Sequence, residues 1–337
     1  MLLFMEPIRR DLLYDAYWRF AAERHAIFAR RVAGQPSPWT NDNTLREFKF
    51  CNVYRASDRV SQFLIRRVAF GLEPGGLAPE DVFLRVVLFR LFSKERTWDL
   101  IEASTGGLCR ATLDVQRLSE VLDEARRRGP IYTSAFILAP DPHGASKHRS
   151  HLLLVESMFR PGGLGQDLAH AVSLRSVYEA LLAWPLIGPF LAYQMAIDLN
   201  YTEFLDFDED EFTMPGPGAL RGLKKVFSDF GDKTPAELVH MMVERQEEEF
   251  VRLGLTFDGL FGRRLHAIDC QGLFCEIDKY SRQAFPTLKS ERVRIKQRFV
   301  ASPEPLPLFY PPTWQINDKL PPVHPRTGVQ QQLLLRA

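Results

Sequence analysis

Residues 213–225, Thr-Met-Pro-Gly-Pro-Gly-Ala-Leu-Arg-Gly-Leu-Lys-Lys, constrain the fold more than any other stretch, because two prolines and two glycines drive the chain through a tight turn into a helix. Pro215 and Pro217 stiffen that turn. Gly216 and Gly218 let backbone N–H groups approach an anion, and the helix that follows aims the positive end of its dipole at the same spot. Leu220, Leu223, Val226 and Phe227 share one helical face, which leaves Arg221, Lys224 and Lys225 to meet a polyanion. An ordinary loop entering a helix accounts for the same residues.

The flanking sequence is dominated by helical periodicity. Residues 7–33 place Ile8, Leu12, Tyr14, Tyr17, Phe20, Ala21, Ile27 and Phe28 close to a helical repeat that Gly34 and Pro36 end. One or two helices are expected over 44–70, a further one opening at Pro79, another starting at Thr97, and another over Val115–Arg128. Ser176 with Glu179 has capping-box spacing, Gly188-Pro189 opens the next helix, and Thr234-Pro235-Ala-Glu237 a later one that Gly254 stops. Arg263–Lys279 is helical in pattern as well. Ile131–Leu138 is the best strand candidate, and 140–150 reads as a loop carrying His143, Lys147 and His148, with His151 just beyond. No fixed-period repeat appears. The expected class is therefore all-α, with a helical body over 1–302, either single or in two lobes with a cleft between them, and an extended Pro-rich tail over 303–337 draped on the core by Phe309, Tyr310 and Trp314.

Charge narrows the partners. The 337 residues hold 43 basic and 42 acidic side chains, so a phosphate-binding surface has to be local. From Lys279 to Arg298 the basic side chains outnumber the acidic ones most strongly, with Glu291 alone in opposition. The 4 cysteines, Cys51, Cys109, Cys270 and Cys275, form no C-x-x-C pair and read as reduced thiols. No apolar run approaches the ~20 residues that cross a bilayer. A soluble, intracellular (cytoplasmic or nuclear) protein without a membrane partner is expected.

Three polar clusters carry candidate chemistry. In 52–62, Arg55 and Arg59 lie one turn apart, as do Asp58 and Gln62; the arginines would clamp phosphates and Asp58 would orient one of them, unless the face is a solvated salt-bridge surface. In 190–201, Gln194, Asp198 and Tyr201 share a face beside Tyr193, a set suited to lining a pocket where rings stack on a base, or to a half-exposed surface. In 275–280, Asp278 beside Lys279 and Tyr280 offers a base or an electrostatic stabiliser. The acidic run Glu203, Asp206, Asp208, Glu209, Asp210 and Glu211 either solvates a loop or holds a magnesium ion; no cofactor is otherwise implied, and no metal ligands are assigned. The sequence has no G-x-x-x-x-G-K-[ST] phosphate loop.

Five blocks, taken in order, resemble a known family. They are "WTNDNTLREFKFCNVYRASDRVSQ" (39–62), "FLAYQMAIDLNY" (190–201), "FDEDEFTMPGPGAL" (207–220), "CEIDKYSR" (275–282) and "FYPPTWQIND" (309–318). The family is that of the alpha-glutamyl/putrescinyl thymine pyrophosphorylases, or amino acid:DNA transferases, related to the helical region attached to hydroxymethyluracil DNA kinases. The resemblance implies a DNA-glycosylase-like helical fold, with a helix-hairpin-helix at Met214–Ala219 gripping the backbone of double-stranded DNA and a modified thymine flipped into a pocket. Pro217 departs from the usual hairpin signature by removing a donor.

The resemblance also implies a reaction, in which an amine or amino acid displaces pyrophosphate from an activated hydroxymethyl group. The expected site residues follow: Asp278, Lys279, Asp198, Arg55 and Arg59 as catalytic groups, Tyr193, Gln194, Asp58, Gln62 and Tyr280 at the base or substrate, and Gly216, Gly218, Arg221 and Lys224 on DNA phosphates. A glycosylase acting on a modified base and a non-catalytic DNA-binding module are the alternatives.

Overall fold

The computed structural model describes residues 5–71, 76–133, 146–288, 290, 292–300 and 307–321. The elements are β1 (Ile8–Arg9), α1 (Asp11–Val32), α2 (Asn43–Glu47), a 3-10 turn (Arg55–Ser57), α3 (Arg59–Phe63) running into a π turn (Leu64–Ala69), α4 (Pro79–Phe92), α5 (Glu95–Thr105), α6 (Val115–Arg128), α7 (Lys147–Met158), α8 (Leu164–Ala169), α9 (Leu174–Leu182), α10 (Pro189–Leu199), α11 (Pro217–Val226), β2 (Phe227–Asp229), α12 (Pro235–Arg252) and α13 (Ala267–Ala284). The protein is mainly helical, as the periodicity predicts. The two short strands pair antiparallel, Ile8 opposite Asp229 and Arg9 opposite Phe227.

Two helices are apolar on nearly every side and so are buried: α4, where Val82 to Phe92 are all buried, and α10, where Leu191 to Leu199 are. α4 packs on α7, α8 and α10, while α13 packs on α1, α2, α11 and α12. Trp18, Tyr14 and Tyr17 of α1 fill the space toward α12 and α13, Trp18 lying edge-on to Phe250 at 5.2 Å and Tyr17 4.7 Å from Phe274. Helix starts follow local chemistry. Thr234 and Glu237 form the expected capping box of α12, with Pro235 at the first helical position. The box at α9 is Ser173 with Ser176, three residues earlier than the spacing of Ser176 and Glu179 predicts, because Leu174, Val177 and Leu181 are the residues that must face inward.

Other expectations are corrected. Residues 147–151 are not loop: α7 begins at Lys147, since His148, His151, Leu152 and Val155 make one buried face. His148 meets Asp123 at 3.2 Å and His151 Nδ1 meets the Tyr132 hydroxyl at 2.9 Å, so these histidines are packed groups of the helical body. His143 lies outside the described residues, as do 134–138 of the strand candidate; Ile131–Thr133 is not a strand. The described part of the tail, 307–321, lies on the core. Tyr310 is wholly buried and its hydroxyl meets Ser57 Oγ at 2.8 Å, while Trp314 covers Arg263 at 3.8 Å.

Candidate functional site

The glycines of the 213–225 stretch are there for packing. A Cβ on Gly216 would run into the Phe190 ring, and one on Gly218 would come within 2.9 Å of Cys275 Sγ. Gly222 lies against the Phe274 backbone. With Ala219 between them, these small residues let α11 approach α13 closely. The turn therefore joins α11 to α13 laterally: α10 ends at Leu199, and irregular chain occupies 200–216 in place of a first hairpin helix.

That close approach assembles a charged cluster. Asp278, 3% exposed, accepts from Arg221 Nε at 3.2 Å, Lys225 Nζ at 2.9 Å and Arg282 Nη2 at 2.5 Å. Burial alone would raise its carboxyl, but the hydrogen bond and charge of Lys225, with Arg282, outweigh it and hold the group below the ordinary carboxylate range. Asp278 is thus a permanent anion surrounded by three cations, a poor general base but a firm anchor for a net positive ridge. Lys224 is exposed on the same helix, and its carbonyl accepts from Arg10, whose guanidinium also takes the Lys225 and Phe227 carbonyls and closes the end of α11.

A second group comes together as the sequence suggests, with one addition. Arg55 donates to Gln194 Oε1 at 3.0 Å and to Asp198 Oδ1 at 2.6 Å, and its backbone N–H donates to Asp269. Asp198 is fully buried and its second oxygen is taken by Arg90. Burial disfavours charge on both arginines; Asp198 more than restores it for Arg55, while Arg90 stays below its ordinary value. Arg90 was not among the expected residues. Its signal was present, since an arginine inside the apolar run 86–92 has to find a buried carboxylate. Tyr193 is also fully buried, edge-on to Phe212, so its ring offers no face to a base.

The 52–62 segment divides. Arg55 sits in the 3-10 turn and Arg59 at the start of α3, so the two do not share a face: Arg55 turns inward and Arg59, half-exposed, pairs with Glu95 at 3.2 Å. Asp58 and Gln62 part likewise. Gln62 is buried and clamps the tail, bonding Ala56 O and both the N–H and C=O of Phe309. Asp58 instead accepts from the Asn52 N–H at 2.8 Å, and Asn52 Oδ1 accepts from Arg24 at 2.7 Å. Burial pushes the Asp58 carboxyl up to about 6, against the pull of the Asn52 hydrogen bond and Arg24.

Around Asp58 lies the most chemically varied group of the molecule. The Cys51 N–H donates to Glu276 Oε2 at 3.2 Å, and Glu276 pairs with Lys279 at 2.5 Å. Asp58 and Glu276 push the Cys51 thiol well above its ordinary value, so it is held as the neutral thiol. Burial pulls Lys279 down, but Glu276 more than offsets it, and the amine stays charged. Tyr280, next along α13, donates to Asp42 at 2.5 Å and so ties α13 to α2. Helix α13 thus carries Glu276 and Lys279 toward Asp58, and Asp278 toward α11. Arg24 and Glu276 escaped sequence reasoning because both fit an amphipathic helix equally well as solvated residues.

The acidic run before the turn is distributed among anchoring roles. Asp210 accepts from the Ala267 N–H at 2.8 Å and meets His266 Nδ1 at 2.9 Å, capping α13; Glu211 accepts from the Leu174 N–H at the start of α9; Glu209 pairs with Arg263 at 2.7 Å. Asp208, Asp210 and His266 bring donor atoms within 4.8 Å of one another, a set that a hard divalent cation would accept, although Asp210 is already committed to α13.

Comparison with known proteins supplies the class. The family described as "5-hmdU DNA kinase, helical domain" matches residues 11–290, and the chain belongs to that family. A 5-hmdU DNA kinase of Bacillus phage SP10 is 28% identical over an alignment of 304 residues that covers 82% of this chain and 46% of the phage protein. The chain spans about half the length of that relative. No solved structure matches it. Among the described residues, no helix is long and apolar enough to cross a membrane.

Proposed function

We propose that this chain modifies a hydroxymethyluracil-derived base in double-stranded DNA, exchanging an activated, phosphorylated hydroxymethyl arm for an amine or amino acid. The observation that carries the reading is the Asp58 group: a half-buried carboxylate titrating near 6, in one network with a charged lysine and a charged arginine. Such a carboxylate is ionised at neutral pH yet basic enough to take a proton from an incoming ammonium. The nitrogen lone pair then forms the C–N bond to the exocyclic methylene carbon as the C–O bond breaks. The electron pair leaves on the pyrophosphate, whose charge Lys279 and Arg24 are suited to meet; the remaining ammonium proton goes to solvent.

Family membership supports DNA carrying 5-hmdU as the partner, because the phage relative is named for that substrate. Phosphoryl transfer of the phosphate-loop type is not supported by these residues, which lack G-x-x-x-x-G-K-[ST]. In this reading Arg221, Lys224 and Lys225 hold the DNA backbone, Asp278 with the buried Arg282 positions Arg221 and Lys225, and Arg55, Gln194, Asp198 and Arg90 brace the turn that presents Asp58. The test is to incubate the protein with duplex DNA carrying pyrophosphorylated hydroxymethyluracil and a mixture of amines, then weigh the digested nucleosides. A heavier nucleoside in an intact strand is expected. An abasic site with free base would establish a glycosylase instead, and unchanged nucleosides a binding module.

A further inference from the structure

Beside the Asp58 network a cavity of about 400 Å³ opens between α1, the 37–50 segment and the chain that follows α13. This lies within the range of small-molecule sites, about 300–1,000 Å³. Its walls are aromatic: Trp39, Phe48, Phe50 and Phe299. Phe299 is held there by backbone pairing, its N–H donating to the Glu47 carbonyl at 2.9 Å while Lys49 donates to Gln297 at 3.0 Å.

The polar lining is one-signed. Arg24, Arg31 and Arg46 line the cavity, and no carboxylate does. Arg31 lies over the Trp39 ring at 5.1 Å and near the Phe299 ring at 5.9 Å, and has no carboxylate within ion-pair distance among the described residues. Arg24 is 8% exposed, and its Nη1 has no hydrogen-bond partner among the described residues. A buried guanidinium N–H without an acceptor is costly, and that open N–H of Arg24 beside Arg31, in a partly desolvated cavity with no carboxylate in its lining, favours an anion. Burial, and to a smaller extent Arg31, hold Arg24 below its ordinary value although Asp58 and Glu276 support its charge, and a bound anion would add to that support.

We infer that this cavity takes a planar heteroaromatic ring bearing an anionic arm, namely an extruded pyrimidine whose 5-methylene carries phosphate, with the ring between Trp39 and the phenylalanines and the phosphate on Arg24 and Arg31. The inference rests on the proposed function and deepens it by making the charged arm, more than the ring, the group selected. Phe50 links the cavity to the chemistry, since it forms one wall and its ring lies 5.6 Å from Lys279 Nζ. The phosphoester would then lie between the arginines and the Lys279–Asp58 side, where bond exchange is proposed.

The test is a binding measurement that needs neither an amine nor turnover, so it can fail independently of the transfer reaction. Affinity is measured for a short duplex carrying one 5-(phosphooxymethyl)uracil and for the same duplex with thymine there. The wild-type protein is compared with Arg31→Gln and Phe299→Ala, with inorganic pyrophosphate as competitor. Wild type is expected to prefer the phosphorylated base by about tenfold or more, the worth of one charge-assisted contact. Each variant is expected to lose most of that preference while binding the thymine duplex within about twofold of wild type. The Arg31 side chain makes no hydrogen bond among the described residues, so Arg31→Gln keeps the test alive if Phe299→Ala fails to fold. Equal preference in both variants, no preference in wild type, or competition by pyrophosphate that is indifferent to Arg31→Gln would each overturn the assignment.

Discussion

Replacing Gly222 by alanine tests whether contact between α11 and α13 builds the cationic ridge. A Cβ at this position would sit 2.6 Å from the Phe274 carbonyl carbon and closer still to its oxygen, where ordinary contact begins at 3.4 Å. The obstacle is helix backbone, so it cannot rotate aside; the helices have to separate or α11 has to shift along its axis. Overpacking of this kind costs about 1–3 kcal/mol, and alanine returns up to about 1 kcal/mol of helix propensity. Net destabilisation of about 1–2 kcal/mol is expected from chemical denaturation.

Gly272 in the neighbouring α13 is the control, because a Cβ there meets nothing within 4 Å. Gly272→Ala is expected to stabilise by about 0.5–1 kcal/mol. Function should follow geometry, since separation of the helices moves Arg221 and Lys225 away from Asp278 and weakens DNA binding. A Gly222→Ala protein as stable as Gly272→Ala, binding DNA with undiminished affinity, would refute the claim that close helix approach sets up the ridge.

The remaining predictions concern charge. Asp58→Asn should lower the amine-transfer rate by about 10²–10⁴-fold, and the wild-type rate should rise with pH through an apparent value near 6, where the carboxyl loses its proton; a rate that ignores both excludes Asp58 as the base. Asp278→Asn leaves three cations without their counter-charge and should cost about 3 kcal/mol or more; because the native carboxyl is depressed, its contribution is complete above about pH 4 and is lost as the pH falls through the lower native value, so the variant should lack that acid-induced loss. Arg221→Gln and Lys225→Gln should each weaken DNA binding regardless of sequence and flatten the salt dependence by about one unit of slope. Glu209 is raised by burial to about 7, so the fold favours its protonated form and stability should decline from about pH 4.5 to 7; Glu209→Gln should remove that slope in a denaturation series.

How legible the molecule was depends on what each residue type can do alone. The helical class and starts such as Thr234-Pro235 are local, and periodicity with caps was enough to read them. Gln194 and Asp198 were legible as polar residues on one face of an apolar helix, but that face packs on Arg55 and Arg90 inside the fold, and no spacing reveals that contact. The glycines of 216–222 misled: a glycine required for helix contact and one required for anion approach look identical in sequence, and only the Phe190, Cys275 and Phe274 neighbours distinguish them. Asp278 attracted attention as a base, yet α11 brings three cations to it across the fold, while the carboxylate with a base's proton affinity is Asp58, whose burial no spacing reveals. The acidic run looked like one feature and is several: Asp210 and Glu211 are bound to different helix starts, and Glu209 to Arg263. Aromatic residues of the cavity come from 39, 48, 50 and 299, and the pairing of Phe299 beside Glu47 is a long-range event that single-sequence patterns do not encode.

The most direct test of the transfer account is the fate of the bridging oxygen. DNA in which the oxygen between the hydroxymethyl carbon and the phosphorus is ¹⁸O would be turned over with an amine, and both products weighed. Displacement at carbon predicts all of the label in the released pyrophosphate and an amine nitrogen on the base. Label retained on the base as hydroxymethyluracil would mean that the phosphorus–oxygen bond had broken, and the protein would be a hydrolase of the phosphorylated arm.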